Sequence, residues 1–167
     1  MNSSLADLFV RLSHGVYVIG VTADGRYNAF TAAWVMQTSF DPPMVALSIN
    51  PAHSSYRMLE QSHNFTINVL ARDQLDLAQH FGRPASIDKL AEVAWRPAPG
   101  GAPILERSLA CMDCRVDAEM SAGDHRLVTA TVVAGEILRH DVSPLRYHET
   151  GTMDDSATLY PAELPAP

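Results

Sequence analysis

A cluster of small polar residues follows the apolar run Met44–Ile49 and opens the next predicted helix. It contains Asn50, His53, Ser54 and Ser55. Backbone N–H groups at a helix start carry partial positive charge, and serine hydroxyls add donors, so such a start can bind a phosphate. Serine there is also a common N-cap. The sequence therefore predicts a capped helix start, an anion site, or both at Ser54 and Ser55.

A second candidate group is the turn Gly123-Asp124 with His125 directly after it. Glycine adopts the positive φ that a tight turn requires, and aspartate can hydrogen-bond its own backbone. The turn lies between two long strand candidates, Leu109–Met120 and Leu127–Ile137. The imidazole of His125 is therefore predicted to project from one end of the sheet, where it either caps the hairpin or faces a ligand.

Cys111 and Cys114 have the spacing of a redox pair or of half a zinc site. No second cysteine pair completes a zinc site, and the pair lies in a strand-like run rather than at a helix start. Strand residues three apart point to opposite faces, which opposes a disulfide. We therefore expect two ordinary thiols and no metal site.

The strands that must position these residues are predicted from β-branched runs and from alternation of apolar and polar residues. Hairpin turns such as Asp24-Gly25 join most of them, and the helix-strand alternation of parallel sheets is absent. The pattern favours a mainly β fold, an antiparallel barrel with a few short peripheral helices. The predicted strands are Gly15–Thr22, Asn28–Trp34, Met44–Ile49, Phe65–Leu70, Leu109–Met120 and Leu127–Ile137.

The helices and connections complete this expectation. Three short helices are predicted. The first is capped by Ser3 or Ser4 and has the apolar face Leu5, Leu8, Phe9 and Leu12. The second runs from Ser54 or Ser55 through Gln61, and the third covers Asp73–Phe81. The remaining segments are predicted to be a connection from Val35 through Asp41, a loop over Gly82–Pro103 with one helical turn at Ile87–Glu92, and a C-terminal arm or tail over 152–167.

Length and charge exclude several classes of protein. The chain has 167 residues, one domain's worth, with 12 Lys and Arg against 19 Asp and Glu and a net charge of −7. Without a basic stripe we expect no nucleic-acid binding and no docking on anionic membranes. No signal peptide and no apolar run near the ~20 residues of a membrane span are evident, so a cytoplasmic protein is the expectation.

Three groups of segments, in this order and spacing, resemble the flavin reductase family. They are 28–34 with 38–43 (Ser-Phe-Asp-Pro-Pro), 48–56 with 65–70, and 123–126 (Gly-Asp-His-Arg). The resemblance covers roughly residues 8 to 148 of a single domain spanning 1–167. It implies a Greek-key split β-barrel that binds FMN, or alternatively FAD. The stretch 33–43 is also similar to the flavin reductase-like module of flavodiiron proteins.

The resemblance assigns cofactor-binding residues to two strands, a helix start and a late aromatic. Thr31 and the serines would hold the phosphate or ribityl chain, and small alanines would let the backbone approach the ring. Two positions depart from the family: His53 where many members have a basic residue, and Ala33 where many have serine. The implied cofactor-binding residues are Asn28, Thr31, Ala32, Ala33, Trp34, Ser48, Asn50, His53, Ser54, Ser55, Phe81 and Tyr147.

The resemblance also implies an activity, with His125 as the catalytic candidate near flavin and nicotinamide. One reading is an NAD(P)H-dependent flavin reductase that passes electrons to an acceptor or a partner monooxygenase. The alternative is a flavoredoxin-like electron carrier that trades electrons with protein partners without its own NAD(P)H activity. A homodimer is expected, with the C-terminal segment, including Leu159, Tyr160 and Leu164, as a crossing arm.

Overall fold

The computed structural model describes residues 4–151 and 153–161. Its mainly β architecture confirms the predicted class. The strands are β1 (Tyr17–Ala23), β2 (Arg26–Ala32), β3 (Val35–Ser39), β4 (Met44–Ile49), β5 (Asn64–Val69), β6 (Trp95–Pro97), β7 (Pro103–Leu105), β8 (Ala110–Ala122) and β9 (His125–Ile137). The helices are α1 (Leu5–Phe9), α2 (Ser54–Ser62) and α3 (Leu75–Phe81), followed by 3₁₀ turns at Tyr147–Thr150 and Ser156–Leu159.

Seven strands form one antiparallel sheet in the order β2-β1-β5-β8-β9-β4-β3. Laid flat, seven strands about 4.8 Å apart would separate the two edge strands by roughly 29 Å. Only Ala33 and Trp34 join edge strand β2 to edge strand β3, and three consecutive Cα steps reach at most ~11 Å. The sheet therefore curves until its two edges approach each other at this end.

Two hydrophobic clusters fill the fold on opposite sides of the sheet. The first joins strand residues such as Ile19, Leu47 and Phe65 to Leu59 of α2. The second packs α3 and the late segment around Leu145 against the other side of β1 and β2. Alternation along β2 separates the two: Phe30 belongs to the first cluster and Ala29 to the second.

The tight turns follow the sequence signals. Asp24 and Gly25 both have positive φ, 51° and 72°, as the turn of a two-residue hairpin requires. Gly123 has φ 64° in the turn between β8 and β9. The predicted strands are confirmed with shifts of a few residues at their ends, and β4 spans the predicted Met44–Ile49.

Three short strands were missed by the sequence analysis. The predicted connection from Val35 through Asp41 contains edge strand β3, most of whose side chains are exposed, so it lacks an apolar pattern. The predicted loop Gly82–Pro103 contains β6 and the start of β7, a two-stranded hairpin. At three residues each, β6 and β7 are too short to show an alternation of apolar and polar residues.

The helix starts also differ from the expectation. α2 is capped by His53 rather than by Ser54 or Ser55. α3 begins at Leu75 rather than Asp73, because Gln74 turns its side chain back to the Ala71 N–H and to the Arg107 carbonyl. Such side-chain hydrogen bonds to the backbone compete with the helix ladder.

The N-terminal helix is short and open to solvent. Ser4 caps α1 in a reciprocal capping box with Asp7. The helix ends at Phe9, so Leu12 of the predicted apolar face lies beyond it. Leu8 and Leu12 are 52% and 55% exposed. Phe9 stacks on Tyr160 with ring centroids 5.2 Å apart. Leu164 of the predicted arm lies outside the described residues, and no helix within them is long and apolar enough to cross a membrane.

A buried polar network ties the β6–β7 hairpin to the main sheet. The amide of Asn68 donates to the Val18 carbonyl at 3.0 Å, and its oxygen accepts from the Leu105 N–H at 2.7 Å. The Thr66 hydroxyl donates to the Pro103 carbonyl. Gly20 lies beneath this network, where a Cβ atom would overlap both the Thr66 hydroxyl and the Pro103 carbonyl.

We expect Gly20→Ala to destabilise the fold by roughly 1–3 kcal/mol, since the backbone carbonyl of Pro103 cannot move aside without breaking the network. Denaturant unfolding measures the change. Thr22→Ala, two residues along the same strand and half-exposed, is the matched control and should cost less than about 1 kcal/mol. Equal stability of the Gly20 variant and the wild type would contradict this packing.

Candidate functional site

The start of α2 is organised by His53 rather than by a serine. The Nδ1 atom of His53 accepts a hydrogen bond from the Ser55 N–H at 3.2 Å, so the proton of the neutral ring lies on Nε2. The ring also packs on Phe30 with centroids 4.5 Å apart. Burial, and then the positive charge of Lys89, lower the pKa of His53. The cap is therefore a neutral imidazole.

Asn28 connects β2 to this helix start. Its side-chain amide donates to the hydroxyl of Ser55 at 2.9 Å, and Ser55 is fully buried. Ser54, at the first helical position, is exposed. The two serines therefore differ: Ser55 has a structural partner, while Ser54 presents its hydroxyl to solvent beside the first N–H groups of the helix.

A second set of predicted residues lies where β2 passes into β3. Trp34 is 44% exposed and packs against His125, with ring centroids 4.9 Å apart and planes tilted by 50°. The Trp34 carbonyl accepts a hydrogen bond from the Ser48 N–H at 3.0 Å. Nδ1 of His125 contacts the Asp124 carboxylate at 2.8 Å, and this interaction lowers the pKa of Asp124.

Strand β4 connects these two sets of residues. Pairing of Ile49 with Arg126 brings the end of β4 beside the start of β9, next to His125. Asn50 then turns the chain, its side chain accepting from the Ala52 N–H and its carbonyl from the His53 N–H, both at 2.9 Å. The residues linked by these contacts, called the α2-start surface below, are Asn28, Trp34, Ser48, Asn50, His53, Ser54 and His125, with Ala32 and Ala33 on the connecting chain and the buried Ser55 beneath.

Three predicted cofactor residues lie away from that surface. Thr31 points to the other side of β2, where its hydroxyl donates to the Ala78 carbonyl of α3 at 2.7 Å. Phe81 is fully buried in the second core cluster. The Tyr147 hydroxyl contacts the side chains of Asp154 and Ser156, each at 2.7 Å. Successive side chains of a strand point to opposite faces of the sheet, so Thr31 and Asn28 lie on opposite faces of β2. The two side chains therefore cannot both contact a ligand bound on one face.

Lys89 is a cation that the sequence analysis missed. It is only 2% exposed, and its ammonium donates to the carbonyls of Phe81 at 3.1 Å and Arg83 at 3.3 Å. An ammonium carries three protons, so one donor remains. Burial lowers the pKa of Lys89, and its charge acts on His53. A single lysine in a loop has no sequence pattern that would have marked it.

A cleft lies elsewhere in the fold. It measures about 420 Å³ and lies between the start of β4 and the end of β9, with Met44, Val132 and Ile137 in its walls. Its described lining includes Glu136 and no basic side chain. It therefore has no positive side chain to offer a phosphate.

Cys111 and Cys114 are both buried. Both are free, and they belong to different clusters, Cys111 with Ile104 and Cys114 with the first core. Burial, with the nearby Asp113 charge, raises the pKa of Cys114 to about 12. Within residues 4–151 and 153–161, no three His, Cys, Asp or Glu side chains are grouped to hold a metal ion.

We expect His53→Asn to flatten the dependence of stability on pH. Asparagine still accepts the cap hydrogen bond but does not titrate. Because the folded pKa of His53 lies below its ordinary value near 6.5, the unfolded chain binds more protons as pH falls below that value, and the wild type loses stability there. Denaturant unfolding at several pH values between about 5 and 7.5 measures the slopes.

His63→Asn, at the other end of the same helix, is the matched control. His63 occupies a left-handed position that asparagine tolerates. This variant should follow the wild-type pH profile. If the His53 variant followed it equally well, the neutral cap would carry no pH dependence.

Comparisons with known proteins place the chain in a family. The profile of the "Flavin reductase like domain" matches residues 9–154. A Rhizobium meliloti (strain 1021) protein named "Probable flavin reductase" is 32% identical over 134 residues, covering 80% of this chain and 43% of that protein. "Diflavin flavoprotein A 1" of Synechocystis sp. (strain PCC 6803) is 29% identical over 142 residues, covering 83% of this chain. The chain spans about a quarter of the diflavin flavoproteins that it matches.

Solved structures with similar folds support the same family. The nitrilotriacetate monooxygenase component B homologue from Mycobacterium thermoresistibile superposes with a TM-score of 0.79 at 29% identity, covering 86% of this chain and 80% of that one. The flavin reductase PheA2 superposes with a TM-score of 0.76 at 27% identity, covering 87% and 92%. With the profile covering most of its length, this chain belongs to the flavin reductase-like domain family.

Proposed function

We propose that the chain binds FMN at the α2-start surface, receives hydride from NAD(P)H and passes electrons to an acceptor. The observation that supports the proposal is that separately predicted residues contact one another: Asn28 bonds Ser55, Trp34 packs on His125, and the Trp34 carbonyl accepts from Ser48. We also propose that the curved sheet forms a split barrel, as the resemblance to the family implies. FAD remains the alternative flavin, and its additional nucleotide would extend beyond the α2-start surface.

The phosphate would be held where α2 begins. Ser54 is the exposed first residue of the helix, and an anion beside it would gain from the helix dipole. The buried Lys89 would add a long-range positive charge, since its charge lowers the pKa of the His53 imidazole. The buried bond from Asn28 to Ser55 fixes the helix start against β2.

The flavin ring would lie along the chain between β2 and β3. Ala32 and Ala33 leave room for close approach of the ring to the backbone, and Trp34 offers an exposed aromatic face. Ser48 and Asn50 provide polar groups next to that face. These residues bind and orient, and bound flavin supplies the redox chemistry, accepting hydride at N5 and donating electrons onward.

His125 would position the nicotinamide. Its ring is held by Asp124 on one side and by Trp34 on another, so it is fixed at the mouth of the proposed ring site. The hydride step needs no acid from the protein, and the contribution of His125 is orientation and charge balance.

A second candidate function is an FMN-binding electron carrier without its own NAD(P)H activity. The diflavin flavoproteins favour it, because in them the matching segment is about a quarter of a longer protein. A module within such a chain can exchange electrons with its neighbours. The homologue of monooxygenase component B favours instead a reductase that serves a partner monooxygenase.

Two measurements separate these functions. Purified protein should be yellow, or become so with added FMN, and should release FMN on denaturation. Anaerobic mixing with NADH or NADPH should then bleach the flavin bands within seconds if the chain is a reductase. Bound flavin that resists both nucleotides but accepts electrons from a chemical reductant would identify the carrier. Absence of flavin binding would overturn both.

Ser54→Ala is expected to weaken FMN binding about 10-fold and riboflavin binding little, because only FMN carries the phosphate. The double variant Ser54→Ala/Ser55→Ala should weaken FMN further, although loss of the Ser55 hydroxyl also leaves the Asn28 amide without its partner. Fluorescence titration with both flavins gives the ratio. Ser62→Ala, at the far end of α2, is the control. Equal weakening of both flavins would make Ser54 structural only.

His125→Ala is expected to slow flavin reduction by ~5–150-fold, equivalent to about 1–3 kcal/mol of transition-state stabilisation, with FMN content and melting temperature retained. Stopped-flow reduction at saturating NADH and NADPH measures the rate. His140→Ala, at an exposed histidine outside the α2-start surface, serves as the control, with a change of about twofold or less. An unchanged rate in His125→Ala would exclude the positioning role.

We also propose that the protein is a homodimer. Leu8 and Leu12 expose an apolar face beside the stacked Phe9 and Tyr160, and a second copy would cover it. Light scattering at micromolar concentration should give twice 18.2 kDa. Leu8→Lys/Leu12→Lys should shift the protein toward the monomer. A wild-type mass of 18.2 kDa would contradict the proposal.

A further inference from the structure

The cleft of about 420 Å³ between the start of β4 and the end of β9 has no part in the proposed flavin site. β4 begins at Met44, in the wall of the cleft, and reaches Ser48 of the α2-start surface roughly 13 Å further along the strand. β9 likewise begins at His125 and ends in the cleft at Ile137. The cleft and the α2-start surface therefore lie at opposite ends of the same two strands and share no residue.

Three residues of the cleft wall connect it to the first core. Val45 belongs to the buried cluster and also lines the cleft. Met112 and Val132 pack against the same cluster and line the cleft from β8 and β9. The cleft therefore opens onto the apolar interior of the curved sheet. The mouth of a β-barrel is a common place for a small ligand, and the volume of this cleft lies in the range of such sites.

The charges around the cleft disfavour an ionic ligand. Glu136 is the one charged residue of the described lining, and it is paired with Arg96, which lies outside the lining. A carboxylate or phosphate in the cleft would lose its hydration without meeting a free cation, and an ammonium would meet a carboxylate that already has a partner. The lining is therefore suited to a neutral molecule.

The other groups in the walls favour an aromatic ring that carries a hydroxyl. Met44 and Met112 contribute thioether side chains, which pack favourably against aromatic rings. Gln37 and Ser39 form a polar side on β3, where the Gln37 amide nitrogen donates to the Ser39 carbonyl at 3.3 Å. The Gln37 oxygen can accept a hydrogen bond from a ligand hydroxyl, and the Ser39 hydroxyl can donate one to it.

We propose that this cleft is a second small-molecule site, and that it binds a neutral, single-ring phenol. The ring lies between the methionines and the valines that border the first core, and the phenol hydroxyl meets Gln37 and Ser39. The site is separate from the proposed flavin site, and binding to it does not require flavin.

A titration with 4-methylphenol, followed by ¹H–¹⁵N NMR of the purified protein, measures the binding. We expect a dissociation constant of about 1 mM or lower, which is ordinary for a ligand of this size. 4-Methylanisole, whose oxygen cannot donate a hydrogen bond, should bind about 5-fold more weakly. 4-Methylbenzoate, which is anionic, should bind at least about 10-fold more weakly.

Ile137→Asp tests the location of the ligand. It places a carboxylate in the cleft wall at a side chain that is 62% exposed, so the fold should be retained. The affinity for 4-methylphenol should fall at least about 10-fold. Val133→Asp, on the same strand, 49% exposed and outside the lining, should bind as the wild type does. Equal affinity of the wild type and Ile137→Asp would overturn the proposal.

Ser39→Ala tests the polar side of the cleft. The variant should lose most of the preference for 4-methylphenol over 4-methylanisole, because the hydroxyl that donates to the phenol oxygen is gone. Thr38→Ala, an exposed change at the next position and outside the lining, should keep that preference. An unchanged preference in Ser39→Ala would contradict the assigned orientation of the phenol.

Two further outcomes would assign the ligand or the cleft elsewhere. Displacement of 4-methylphenol by saturating FMN would place the phenol in the flavin site and overturn the proposal. If light scattering showed that Ile137→Asp halves the molecular mass, the cleft would be an interface between two copies of the chain, which also overturns it. Binding of 4-methylphenol as described by a protein that takes up no flavin would refute the proposed function alone.

Discussion

The two-residue link between β2 and β3 is the constraint on which the rest of the structure depends. Ala33 and Trp34 connect strands at opposite edges of a seven-stranded sheet, so the sheet must curve to bring those edges together. The curve encloses the first core, and α2 packs against it. The same short link places the aromatic ring of Trp34 between the end of β4 and the start of β9, where His125 meets it.

The start of α2 is capped by a neutral imidazole, that of His53. A protonated imidazole at His53 would lose the acceptor that caps the Ser55 N–H, so the ring is useful to the fold only when it is neutral. The positive charge of Lys89, whose ammonium donates to the Phe81 and Arg83 carbonyls, lowers the pKa of His53 and so favours this neutral form.

Local signals in the sequence predicted local structure. The positive-φ turn at Asp24-Gly25, the alternation along β5 and the proline-bounded start of β4 each depend on neighbouring residues only. What escaped prediction depends on distant partners. β3 is defined by its ladder to β4 rather than by its exposed side chains. Lys89 and the orientation of Thr31 toward α3 are set by packing between elements that are far apart in sequence, and no spacing rule encodes such packing.

The strand order also has a consequence for how the chain folds. Three hairpins, β1–β2, β3–β4 and β8–β9, pair strands that are adjacent in sequence, and these can form early. β5 bridges β1 and β8, and β9 must find β4, across long intervening segments. Loop-closure entropy makes such pairings slow. Insertion of β5 between two preformed hairpins is therefore the step expected to limit the folding rate. The sheet can complete its curve at the β2–β3 link only after that step.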